Sequence, residues 1–296
     1  MKTKTLIACV AAPSCLLLAA SRWKNEVTIV TEPARREIRA NGIADHEMGE
    51  FPRRGNPNSI SPQSYVFTMT MAPKAVDKPA DARFAFFGVA VNGVPFEPGT
   101  AEFWMGDRQW NYEAMTGFTD LGLDEHNAHV QPNGAYHYHG LPGGLVKLLG
   151  GDERKMLLIG YAADGFPIYA SRGHSDAKDA KSPLKAMRSS WRLKQGARPD
   201  GDSGPGGKRD GHFTDDFEFV PGSGDLDECN GRFGVTSEHP EGIYHYHITA
   251  EFPFIGRSWR GEPDPSFFKK GPPPGGGGRK KGGPRFGPPP PKGRPF

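Results

Sequence analysis

A mainly β fold is what this sequence predicts, and three observations predict it. Of 296 residues, 40 are Gly and 29 are Pro, a load that interrupts long helices. Against it stand 19 Phe, 8 Tyr and 5 Trp, which favour short strands between tight turns. Two apolar runs end in Asn92-Gly93 and Asp164-Gly165, both hairpin signals. The Gly and Pro load rules out a helical bundle and argues against a doubly wound α/β enzyme. The helices expected are few and short, over 145–149 and 120–126.

The first segment, 1–21, reads as a signal peptide. Lys2 and Lys4 precede an apolar run from Leu6 to Ala20, and Ala19-Ala20-Ser21 offers small residues for cleavage. The run is short and carries Pro13, so no transmembrane segment is expected. A lipoprotein anchored through Cys15 is the alternative, although Ala12-Pro13-Ser14 suits that processing poorly. Cleavage would leave Cys229 as the one cysteine, with no internal disulfide to form. The expected location is exported, either periplasmic or secreted to the extracellular space.

Strands follow at Val27–Thr31 and Ser64–Thr70, framing a Gly/Pro/Asn loop over 49–62. The chain then repeats itself. Gly88-Val-Ala-Val-Asn-Gly-Val-Pro-Phe96 matches Gly160-Tyr-Ala-Ala-Asp-Gly-Phe-Pro-Ile168. Leu123-Asp-Glu-His-Asn127 matches Leu226-Asp-Glu-Cys-Asn230, and Pro132-Asn-Gly-Ala-Tyr-His-Tyr-His139 matches Pro240-Glu-Gly-Ile-Tyr-His-Tyr-His247. Three blocks in one order predict an internal duplication, with related halves over 88–140 and 160–248 packed about an approximate twofold axis. Residues 174–182 and 198–211 are polar and read as exposed loops of the second half.

The chain ends in a basic tail, 269–296. It holds Lys269, Lys270, Arg279, Lys280, Lys281, Arg285, Lys292 and Arg294 and no acid, and 18 of the 26 residues from Gly271 on are Gly or Pro. No apolar face can form, so this segment is expected to be disordered. It is either a solubilising spacer or a tether to an anionic surface or polymer. The remainder holds 29 basic and 34 acidic residues, so the pI of 8.7 says little about the body. No sequence-specific nucleic-acid motif is present.

In a strand, alternate side chains face opposite ways, so each Tyr-His-Tyr-His segment presents two imidazoles on one face. His137 with His139, and His245 with His247, could therefore grip a Zn or Cu ion. His129 lies near the first pair and His239 near the second. Asp124 and Asp227 could ligate or orient an imidazole, ahead of Glu125 and Glu228. A half-buried strand with Tyr inward and His to water has the same pattern. Pooling both pairs at one shared centre, with His129 in reserve as a further ligand, would give an ion enough ligands, and predicts that the two motifs meet in space.

These blocks carry a resemblance. Together with Asn41-Gly-Ile-Ala-Asp45-His46-Glu47 and Arg54-Gly-Asn-Pro-Asn58, they make residues 25–262 resemble the YHYH-domain proteins, a family of mostly bacterial exported proteins. The resemblance implies a domain and an exported location but no reaction. It also draws in His46, as a further ligand or as an ordinary loop histidine. The resemblance implies a Cys where this chain has Ser258, and with it a bridge to Cys229 that this chain would lack.

Three classes of function stay open: a metalloenzyme assisted by Tyr136 or Tyr244, a non-catalytic metal binder, and an adhesion or matrix module held by its tail. No nucleophile elbow, phosphate loop, HExxH or dinucleotide fingerprint names a reaction.

Overall fold

A computed structural model describes residues 23–151 and 155–269. The expected signal segment and the tail from 270 onward lie outside the described residues. The chain is mainly β, as its composition predicts, with one α-helix and a few 3-10 turns among the described residues.

In chain order the first strands are β1 (Val27–Thr31), β2 (Arg35–Ala40) and β3 (Tyr65–Thr70), an antiparallel sheet whose inner face buries Ile38, Phe67 and Met69. Then come β4 (Ala80–Asp81), β5 (Gly88–Ala90), β6 (Pro95–Phe96), β7 (Ala128–Val130) and β8 (Tyr136–Tyr138). The helix α1 (Gly143–Leu148) follows, close to where Leu145–Leu149 predicted it. Beyond it lie β9 (Leu158–Ala162), β10 (Pro167–Tyr169), β11 (Arg172–His174), β12 (Leu184–Ala186), β13 (Trp191–Leu193), β14 (Phe217–Phe219), β15 (Gly231–Gly234), β16 (Ile243–His247) and β17 (Ser258–Trp259).

Eight of these strands form the central sheet, in the order β15-β16-β10-β9-β5-β6-β8-β7. The order reads alike from either edge. β7 runs antiparallel to β8, as β15 does to β16. β8 joins β6 in parallel with Phe96 opposite Tyr138, and β16 joins β10 in parallel with Ile168 opposite Tyr246. At the centre β5 and β9 pair antiparallel, Gly88 with Ala162 and Ala90 with Gly160. Glycine is required at both ends of that pairing. A Cβ on Gly88 would sit 2.5 Å from the Tyr161 carbonyl, and one on Gly160 would sit 2.5 Å from that of Val89.

Both hairpins form where Asn-Gly and Asp-Gly placed them. Within these two turns Gly93 and Gly165 take positive φ, while Asn92 and Asp164 do not. The Gly93 N–H bonds the Ala90 carbonyl and the Ala90 N–H bonds that of Val94, giving a three-residue loop; Ala162, Gly165 and Phe166 repeat it.

The helix expected over 120–126 is absent. Asp124 Oδ1 accepts from the N–H groups of His126 and Ala128, and this local pairing competes with a helical ladder. The 49–62 loop is not free either: Asn56 and Asn58 both donate to the Val130 carbonyl and so strap the loop to β7.

The end of the body returns to its beginning. β17 pairs with β4, Trp259 Nε1 donates to the Phe87 carbonyl at 2.7 Å, and the buried Phe267 stacks on Phe67. Cys229 is a buried free thiol. No helix among the described residues is long and apolar enough to cross a membrane.

Candidate metal centre

The site is built on the hairpin of β7 and β8. His129 stands directly opposite His137 across the pair, and cross-strand neighbours share a face. His139, two residues beyond His137, lies on that face as well. Asn127, in the left-handed region at φ 58°, turns the chain into β7, and its carbonyl accepts the His139 N–H. His139 Nε2 lies 3.1 Å from His137 Nε2 and 3.1 Å from His129 Nε2. A tetrahedral ion with bonds of 2.0–2.1 Å places its ligand atoms about 3.4 Å apart, close to this spacing.

Proton bookkeeping points the same way. His129 Nδ1 lies 3.0 Å from the Leu121 carbonyl and His137 Nδ1 3.1 Å from that of Ala135, so each Nδ1 carries the proton. Both Nε2 atoms are then bare lone pairs. His139 Nε2 can donate at most one proton between them, so a lone pair stays unmatched unless a cation takes it. Burial, reinforced by the neighbouring His137, pushes His129 down to about 4. Burial, with Lys269 nearby, pushes His137 to about 3, and burial holds His139 well below its ordinary value. All three are neutral at pH 7, the state a metal needs.

A cleft of about 340 Å³ opens beside them, lined by His129, His137, Asn56, Asn58, Glu97 and Lys269. Glu97 is buried, with Oε2 3.6 Å from His137 Nε2 and accepting from Gln131 Nε2 at 2.7 Å. Its Oε1 pairs with the Lys269 ammonium, which brings that residue of the tail segment onto the body. Glu97 was missed by the sequence reading. The signal was its place one residue after the Val-Pro-Phe96 strand that pairs with Tyr138.

Among the described residues, His129, His137 and His139 are the one group of three with metal-ligand spacing. The other candidates lie elsewhere. Asp124 holds the opposite face: its Oδ2 accepts from Tyr136 Oη at 2.6 Å and from the Gly49 N–H. Asp227 does the same for Tyr244, with both oxygens 2.9 Å from the phenol and Oδ2 paired with Arg260. His46 also sits on the tyrosine face. Its Nδ1 lies 2.8 Å from the Glu47 carbonyl and its Nε2 accepts from Tyr138 Oη at 2.7 Å, so both nitrogens are engaged.

His245 and His247 do not join the first cluster. Four strands separate β8 from β16, five steps of about 4.8 Å or roughly 24 Å across the sheet, so the shared centre does not form. Nor do the imidazoles face water, since all four residues of each motif are buried. His239, near the second pair in sequence, lies in a turn closed by its backbone N–H bonding the Thr236 carbonyl.

The family model described as YHYH protein matches residues 66–261, a span that contains the whole eight-stranded sheet and both motifs. The chain belongs to the YHYH family. In this YHYH protein the naming tetrapeptides are therefore buried strands anchored by tyrosine–carboxylate bonds on one face. No curated protein and no solved structure matches the chain.

Proposed function

We propose that this YHYH protein is an exported metal-binding protein whose ion, zinc or copper, is held by His129, His137 and His139. The observation that carries the reading is the convergence of three Nε2 atoms on one point, with two protons fixed on the far sides of their rings. Three neutral imidazoles suit either metal. Two ligands line the cleft, which leaves a coordination position reachable by a small molecule. A bound ion would supply Lewis acidity there. Glu97, fixed by Gln131 and Lys269, would face the same ligand as a proton acceptor. Export rests on the signal-like 1–21 segment and on the family resemblance, and the repeated blocks with the matching halves of the sheet support descent of the body from one duplicated unit.

The test is elemental analysis after dialysis against zinc or copper and desalting. Wild type should retain about one equivalent, and His137→Ala/His139→Ala should retain none while keeping its circular dichroism. Equal retention by both would refute the site.

A further inference from the structure

The second half repeats the strand geometry of the metal centre but not its third imidazole. Arg232 faces His245 across β15 and β16 in the position from which His129 faces His137 across β7 and β8. Neighbouring pairs agree, Gly231 with Tyr246 and Ala128 with Tyr138. His245 Nδ1 lies 3.0 Å from the Ile243 carbonyl and His247 Nδ1 2.8 Å from that of Ala170. Their Nε2 atoms are again bare lone pairs, fully buried and without a hydrogen-bond partner. Both rings thus hold the Nδ1 proton on a backbone carbonyl, as His129 and His137 do in the first half, whereas His139 Nδ1 has no partner.

The third position is filled by a cation. A guanidinium carries a permanent charge and has no lone pair to give, so it both withholds a ligand and repels an incoming ion. Arg232 is fixed there by Nη2 donating to the His174 carbonyl at 2.6 Å, while its Nε is buried without a partner. Guanidinium and imidazole border one small space: a Cβ on Gly173 would lie 3.0 Å from Arg232 Nη2 and 3.1 Å from His247 Nε2. The first half's carboxylate is also missing. The residue after Ile168 is Tyr169, placed opposite His247, where the residue after Phe96 is Glu97.

We propose that Arg232 is the residue that limits this protein to one metal ion: the second half is a metal-site scaffold closed by its own cation, and an imidazole at that position completes it. The proposal rests on the metal reading of the first half, and cobalt(II) stoichiometry separates the two. Wild type and His245→Ala should each bind one cobalt per chain, and His137→Ala none. Arg232→His should bind two, with a doubled tetrahedral d–d absorption, and Arg232→His/His245→Ala should return to one. Arg232→Ala, which removes the charge without adding a ligand, should stay at one. A folded Arg232→His that still binds one ion overturns this proposal alone. So does a wild type that loses an ion on His245→Ala, a result that does not depend on Arg232→His folding. A wild type that binds no cobalt overturns both readings.

Discussion

Acidifying the metal-free protein should cost it stability in a way that one substitution isolates. Burial holds His129 at about 4, against 6.5 for an ordinary imidazole. Below pH 6.5 the unfolded chain takes up a proton that the folded site refuses, so the unfolded state binds more protons and stability falls with pH. The loss continues until the folded imidazole itself titrates, which sets a window from about pH 6.5 to about pH 4. Within that window His129 contributes a slope of about 1.4 kcal/mol per pH unit, or roughly 3 kcal/mol in all. A domain is stable by only about 5–15 kcal/mol, so this is measurable. His129→Gln removes the titrating ring and keeps a polar side chain. Urea unfolding followed by tryptophan fluorescence, at pH 7, 6, 5 and 4.5 with chelator present, gives the two slopes. The variant should lose stability less steeply by about 1.4 kcal/mol per pH unit. Coincident slopes would mean that protons reach His129 freely in the folded state, and the argument for a packed, desolvated triad would collapse.

The tyrosine face offers a control. Tyr136→Phe leaves Asp124 Oδ2 with the Gly49 N–H alone and should cost about 1–3 kcal/mol in denaturant, with metal retention unchanged because the phenol lies across the strand from the imidazoles. Truncation after Lys269 keeps its pair with Glu97 and should leave the melting temperature within about a degree, while lowering the salt needed to elute the protein from heparin. A drop of several degrees would show that 270–296 packs against the body.

The β class and the hairpins were legible because glycine, proline and aromatic placement act locally. The imidazole cluster was half legible. His137 and His139 follow from strand alternation, but the partner strand and its register set the third member, and register is a tertiary property. The information was nonetheless close at hand. Extending the match of Leu123–Asn127 with Leu226–Asn230 by two residues sets His129 against Arg232. Asp124, Asp227 and His46 attracted attention as metal ligands because carboxylates and imidazoles suit that role. Only the fold shows that their oxygens and nitrogens are consumed by tyrosines and backbone. Glu97 went unremarked because a single acid after a hairpin strand looks like any surface residue until the cleft closes around it.

The way the end of the body stitches onto its beginning governs when the molecule can fold. Ser266 Oγ accepts the Thr68 N–H at 2.9 Å across 198 residues of sequence, and Phe267 fills the core that Phe67 opens. A chain emerging from the ribosome amino end first cannot close that core until its last body residues are out. Early strands must wait for distant partners, and contacts of such long sequence separation form slowly. Folding of this core is thus deferred to the close of synthesis.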